Sequence, residues 1–353
     1  MQKHCITSFL LFLCLPLGLF AQRPINRIII WDVTQSMIGV TLPNHPPEYG
    51  YRAEHDIFDI VKKGIADVVA QASEDNSGDI RIIQFRNIVL TNEVFPNSDE
   101  GRSHAKKYIE EYQLYKDKRS SGNTNICGAW EQAMQFLDPT KQNIVYLFTD
   151  GEQNIPNGSF GVQCLPHLIQ TYCALTQSSD VFTFFITLDM ENNALASMLK
   201  DACPKKLAPI SVTQLKKNGI PPLINLRPMF DTLMLNIQEP QPMCTQRFEI
   251  IGPKLPEDFN IHANLRLLSH NLPLDIKFVI KKAEGMKCDI DFTLEDVSGT
   301  ALKALREQLN ENIVGELIVE NATRSNSFIT ISPSSFPIIL FNKKPQTLNF
   351  IVK

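Results

Sequence analysis

Beyond its first 21 residues the chain has no apolar run of the roughly 20 residues that a bilayer span requires. Neither sign of charge dominates: 34 Lys and Arg stand against 38 Asp and Glu, a formal net charge of −4. Nucleic-acid phosphates are held by clustered positive charge, so no nucleic-acid partner is expected. The seven histidines are scattered without an HExxH pair, and there is no CxxC pair, which removes the usual zinc patterns. A GxSxG elbow, a Walker A loop and a GxGxxG turn are all missing. Serine-nucleophile, nucleotide-phosphate and dinucleotide chemistry therefore have no support here.

What is present begins at the amino terminus. Residues 1–4 carry Lys3 and no acid, residues 8–20 (SFLLFLCLPLGLF) are continuously apolar, and Ala21-Gln22 follow. A basic start, about a dozen apolar residues and a small exit residue read as a cleavable export signal over 1–21. The alternative is an uncleaved anchor. Cys14 lies mid-run with no small residue before it, so a lipoprotein-type cysteine is not expected. Removing Lys3 with the leader leaves 33 basic against 38 acidic residues, a net charge of −5. The mature chain is thus expected to be exported, to the periplasm, the cell surface or the medium, with no transmembrane segment. Its length of over 300 residues suits two domains better than one. Oligomeric state has no sequence signal.

Setting Cys5 and Cys14 aside leaves Cys127, Cys164, Cys173, Cys203, Cys244 and Cys288. An even count in an exported chain suggests disulfides, and six cysteines allow 15 pairings. Cys244–Cys288 is the expected pair, because both fall in the C-terminal part.

Two regimes divide the chain. In residues 22–212, short runs rich in Ile, Val and Phe occur at 27–32 (RIIIWD), 79–85 (DIRIIQF), 143–150 (NIVYLFTD) and 180–188 (DVFTFFITL). Near-continuous apolar strands of this kind suit a parallel sheet covered on both faces. Between them Ile57, Val61, Ile65, Val68 and Ala72 recur at helical spacing, as do Ile126, Ala129, Ala133 and Phe136 or Leu137. Asn192-Asn193 are capping-type residues before a helix over 194–202. The pattern reads as a doubly wound, mostly parallel α/β domain. Residues 213–242 hold Pro221, Pro222, Pro228, Pro240 and Pro242 and read as a linker.

From 243 to 353 strict alternation takes over. Leu274, Ile276, Phe278 and Ile280 face one way, and Ile290, Phe292 and Leu294 repeat the pattern. Period two with turns between runs predicts antiparallel strands in a smaller, sandwich-like β-rich domain, with one helix near 300–308. Asp289 and Asp291 share a strand face and read as a solvated face rather than a catalytic pair. Asn321-Ala322-Thr323 fits a glycosylation acceptor. The leader has a bacterial look, so that motif is set aside.

Three short motifs carry chemistry. Asp32-Val33-Thr34-Gln35-Ser36 follows an apolar strand, Gly122-Asn123-Thr124 precedes a helix, and Thr149-Asp150-Gly151 follows another strand. In an open α/β sheet such places converge on the crevice at the carboxyl ends of the strands. Two carboxylates and three hydroxyls make an all-oxygen donor set, suited to Mg²⁺, or Mn²⁺ or Ca²⁺, and not to soft metals. The neutral hydroxyls leave much of the ion's charge unquenched, so a carboxylate from outside can complete the coordination.

The set Asp32, Thr34, Ser36, Thr124 and Asp150 resembles the metal-ion-dependent adhesion site of von Willebrand factor A domains. That family's pattern is Asp-x-Ser-x-Ser, a later Thr, and an Asp at a strand end. The resemblance covers roughly residues 25–212. It implies that Ser36, Thr34 and Thr124 ligate through hydroxyls, that Asp32 and Asp150 act often through water, and that the ligand is an acidic residue of another protein. Departures from the pattern are Thr34 in place of Ser, Gln35 where Gly is common, and a long Pro- and Tyr-containing stretch at 38–52. The implied role is non-enzymatic protein binding, in adhesion or envelope assembly, with no catalytic residue. The alternatives are a scaffold whose metal only stabilises it, and a metal-dependent hydrolase with Glu152 or Asp189 as base.

Overall fold

The computed structural model describes residues 24–34, 37, 57–74, 77–112, 123–149, 164–178, 180–187, 194–203, 206–256, 262–267, 274–296, 299–308, 313–319, 322–324, 327–333 and 335–341. The first half runs β1 (Ile25–Asp32), α1 (Ile57–Gln71), β2 (Ser77–Phe85), β3 (Val89–Phe95), α2 (Asp99–Glu111), α3 (Ile126–Met134), β4 (Gln142–Thr149) and α4 (Cys164–Ser178). It continues with β5 (Val181–Thr187), α5 (Ala194–Ala202), β6 (Leu207–Ser211) and α6 (Val212–Asn218). The second half holds β7 (Leu223–Pro228), β8 (Leu233–Asn236), β9 (Met243–Ile251), β10 (His262–Leu267), β11 (Leu274–Glu284) and β12 (Lys287–Asp296). After these come α7 (Ala301–Gln308), β13 (Ile313–Val319), β14 (Ala322–Arg324), β15 (Ser327–Ile331) and β16 (Ser335–Phe341).

Six strands form the first sheet in the order β3-β2-β1-β4-β5-β6. All neighbours are parallel except β2 and β3. The parallel strands β1, β4 and β5 are buried along nearly their whole length, since helices cover both faces. Alternate residues divide between two cores. Ile144, Tyr146 and Phe148 pack with α1, α2 and α6, while Val145 and Leu147 pack with α3, α4 and α5. The α/β class expected from the strand runs is the class observed. Arg27, buried in mid-strand, is satisfied by Tyr146 Oη at 2.6 Å and Ser77 Oγ at 2.8 Å, as a buried charge must be.

The order has a consequence for function. The chain steps outward from β1 to β2 and β3, then crosses to β4 on the other side of β1. The β1/β4 boundary is therefore the topological switch point, where the loops leaving two adjacent strands diverge and a crevice opens.

Ten strands form the second sheet, β14-β15-β7-β9-β12-β11-β10-β13-β16-β8, mostly antiparallel. It curls round one core: Phe292 on β12 meets Phe336 on β16 at 6.0 Å, although three strands lie between them in the order. Phe230 and Phe248 complete the aromatic cluster, and α7 contributes Ala301, Leu302 and Leu305. The alternation on β12 holds, with Ile290, Phe292 and Leu294 buried.

Three expectations are corrected. Residues 213–242, read as a Pro-rich linker, carry most of α6 and all of β7 and β8, and β7 lies inside the second sheet. The prolines sit at strand margins, where a missing N–H does no harm: Pro221 and Pro222 precede β7, and Pro228 ends it. The Cys244–Cys288 pair does not form. Cys244 lies opposite Phe292 and Cys288 opposite Phe248, four residues apart along β12, or about 13 Å, whereas a disulfide needs Cα atoms within about 7 Å. Burial pushes the Cys244 thiol up to about 11 and the Cys288 thiol up to about 12. Finally, Asp289 and Asp291 do not stand on a merely solvated face. Asp289 accepts two bonds from Arg247, and the buried Asp291 accepts from Thr245 at 2.6 Å and pairs with Lys281 at 3.0 Å.

The disulfides present are Cys127–Cys164 and Cys173–Cys203. They link α3 to α4 and α4 to the end of α5, all on one face of the first sheet. The two sheets meet where β5 begins. Phe328 of β15 packs on Phe182 at 5.0 Å and Phe184 at 6.0 Å, and Asn225 Nδ2 donates to Asp180 at 3.3 Å. Among the described residues no helix is long and apolar enough to cross a membrane.

Candidate functional site

Asp32 is the last residue of β1, and its carboxylate is fully buried. One oxygen accepts the Thr34 backbone N–H at 2.9 Å, which turns the chain sharply as it leaves the strand. The other accepts the Thr149 hydroxyl at 2.7 Å, from the last residue of β4. The carboxylate thus bridges the switch point. Thr34 is itself buried, and Met37 N donates to Thr34 O at 3.2 Å, closing the next turn.

Thr124 arrives from a different direction and reaches the same neighbourhood. Val33 N donates to Phe85 O at 3.0 Å, and Asn125 N donates to Arg86 O at 2.7 Å. The segments carrying Thr34 and Thr124 are therefore both pinned to two consecutive residues at the end of β2. Asn125 also caps α3, its side-chain oxygen accepting Gly128 N at 2.9 Å. Gly128 is required for this cap, because a Cβ there would lie 2.6 Å from the Asn125 amide nitrogen. The result is a buried Thr124 at the mouth of a helix amino terminus.

Of the five expected donors, Asp32 ends β1, Thr34 stands two residues beyond it, and Thr124 precedes the residue bonded to Arg86 just past β2. Ser36 and Asp150 lie outside the described residues, as do the leader, Glu152, Asp189 and the stretch at 38–52. Among the described residues no three His, Cys, Asp or Glu side chains cluster as a metal site. A set built from one described carboxylate and two hydroxyls has no such cluster. Its donors are all oxygen and all buried, and that chemistry fits a hard divalent cation.

Sequence reasoning missed two residues. Thr149 stands in the TDG motif but gives its hydroxyl to Asp32, fixing the carboxylate's orientation. Arg86 is a buried cation one residue past Phe85, which is the register partner of Asp32. An arginine directly after an apolar strand was the available signal for it.

No family model matches this chain, and no curated protein matches it. Among solved structures it is similar to proximal thread matrix protein 1 from the mussel byssus, at 17% identity and TM-score 0.38, over 56% of this chain and 46% of that one. It is similar to a von Willebrand factor type A protein from Catenulispora acidiphila, at 13% identity and TM-score 0.40, over 90% of this chain and 66% of that one. It is also similar to the vWF domain of the type V pili tip protein Mfa5 from Porphyromonas gingivalis, at 9% identity and TM-score 0.40, over 56% and 92%. The chain spans less than half the length of the mussel protein. The fold class rests on the strand order and register described above.

Proposed function

We propose that this chain is an exported protein of the von Willebrand factor A type, which binds another protein through a hard divalent cation, Mg²⁺ or in its place Mn²⁺ or Ca²⁺. Thr34, Ser36 and Thr124 offer hydroxyl oxygens, Asp32 and Asp150 set the charge, and an acidic residue of the partner completes the coordination. What supports this reading is that Asp32, Thr34 and Thr124 are all buried, Asp32 and Thr34 on the segment leaving β1 at the switch point and Thr124 on a second segment, both segments bonded to the end of β2. Supporting it is the attachment of the second sheet at the opposite, amino end of β5, which leaves the carboxyl-end rim to a partner. Two disulfides suit an oxidising compartment.

The test is capture of partners from the native envelope in Mg²⁺, followed by elution with EDTA, using wild type beside Asp32→Ala. Chelator-released partners that Asp32→Ala does not retain support the proposal. Binding unchanged in excess EDTA removes the cation from the mechanism.

One observation favours a second reading, a scaffold with a purely stabilising ion: both Asp32 oxygens already hold internal hydrogen bonds. Losing that buried acceptor would cost about 1–3 kcal/mol. Because that cost applies under either reading, the partner decides: an Asp32→Ala protein that melts lower yet keeps its partner favours the scaffold, and one that still folds but loses the partner favours cation-mediated binding.

A further inference from the structure

We infer that the Cys127–Cys164 disulfide is a positioning device for the candidate cation site, and that cation affinity depends on it. This rests on the cation reading above and deepens it by naming what holds the site in shape. Cys127 is the second residue of α3, three residues after Thr124, and it is fully buried. Its partner Cys164 is the first residue of α4, the helix reached from the end of β4 through residues 150–163. One sulfur bridge therefore closes a covalent ring that contains β4, Thr149 and Asp150 and begins three residues from Thr124. Two of the three motifs are tied together by it.

The need for such a tie follows from the helix. α3 has only nine residues, too few to hold itself by its own hydrogen bonds. Its mouth carries Thr124, whose hydroxyl must sit within a fraction of an ångström to ligate. The backbone bond from Asn125 to Arg86 holds the start of α3 to β2, and the disulfide holds its first turn to α4.

The second disulfide supplies a matched control. Cys173 lies nine residues along α4 from Cys164, about 14 Å away. A helix leaving the carboxyl end of a parallel strand runs back toward the amino ends, so Cys173–Cys203 lies away from the site. The two bridges have sequence separations of 37 and 30, so removing either restores a similar chain entropy to the unfolded state.

The experiment measures Mn²⁺ affinity by titration calorimetry on the full chain, with folding confirmed by near-ultraviolet circular dichroism. Wild type is compared with the Cys127→Ala/Cys164→Ala pair and the Cys173→Ala/Cys203→Ala pair. Both variants should melt lower by similar amounts. The first should lose at least tenfold in Mn²⁺ affinity, and the second should stay within twofold of wild type. If the first alanine pair does not fold, Cys127→Val/Cys164→Ala, which refills the apolar volume, takes its place. Mn²⁺ affinity that is equal in both variants overturns the positioning role while leaving the cation reading intact. A wild type that takes up no Mn²⁺ sinks both.

Discussion

In the first sheet β1, β4 and β5 are apolar on both faces, with most polar residues near the strand ends and Arg27 and Thr183 the buried exceptions. In the second sheet β12 alternates, so its polar residues line one whole face and pair across strands, as Arg247 with Asp289 and Lys281 with Asp291. Lys277 and Glu295 pair on β11 and β12 as well. The difference decides where each unit can host a ligand. Polar groups outside the apolar runs gather at the strand ends, Asp32 and Thr149 at the carboxyl ends of β1 and β4 and Asn26 with Asn143 at the amino ends. Spreading them along a face lets neighbouring side chains satisfy one another, and among the described residues of the second sheet no metal-holding cluster of His, Cys, Asp and Glu forms. The first sheet packs between two cores, and the second curls round one.

That contrast can be broken most forcefully in the second core. Phe292→Ala removes a fully buried ring from the cluster of Phe230, Phe248 and Phe336, and should destabilise the protein by about 3–5 kcal/mol. Cation affinity of the folded fraction should not change, and a calorimetric titration at low temperature would check this. A weaker site in that variant would mean the two units are energetically one.

The seam between the sheets is the next place to press. Phe328 is only partly buried, so Phe328→Ala should cost about 2 kcal/mol, below the range for a fully enclosed ring. Two separate unfolding transitions in scanning calorimetry are expected once it is gone. A single sharp transition would show that the rest of the seam, Leu223 and Ile251 in the first core and Asn225 with Asp180, suffices to couple the units.

Asn125→Ala tests the pocket itself more gently. Losing the α3 cap should lower stability by about 1 kcal/mol, read from urea unfolding. Because Thr124 is the neighbouring residue, cation affinity should fall with it, and an unchanged affinity would detach Thr124 from the site.

The smallest perturbation is chemical. With their thiols raised to about 11 and 12 by burial, Cys244 and Cys288 hold almost no thiolate below pH 10 in the folded protein. Alkylation of Cys244 and Cys288 at pH 8 should be roughly 100-fold or more slower than for a free cysteine, and go to completion at both only on unfolding. Fast labelling of the native chain would show that the second core is open.

Legibility in the sequence follows the same division. The strands around Ile28, Val145 and Phe185 could be read directly, because burial on both faces forces an unbroken apolar run. Edge strand β3 and helix α2 gave no such signal: β3 is half exposed, and α2 buries only Gly101, Ala105 and Ile109. The start of α6 was readable in principle, since Ser211 and Gln214 form a reciprocal capping box. The prolines of 213–242 misled because proline marks strand ends as readily as it marks a linker. At the site, Asp32, Thr34 and Thr124 were legible as motif residues. The role of the Thr149 hydroxyl in orienting Asp32 was not, since it depends on strand register, which no local pattern fixes, and Arg86 was signalled only by its place directly after an apolar strand. Disulfide pairing depends equally on helix placement, which is why Cys127–Cys164 emerged only with α3 and α4 in position.

The most direct measurement is a calorimetric titration of Mg²⁺ into chelator-treated protein, wild type beside Asp32→Ala. One equivalent taken up by wild type and none by the variant is the result predicted for an ion held through Asp32. Wild type that takes up nothing, or a variant that binds as tightly as wild type, would contradict it.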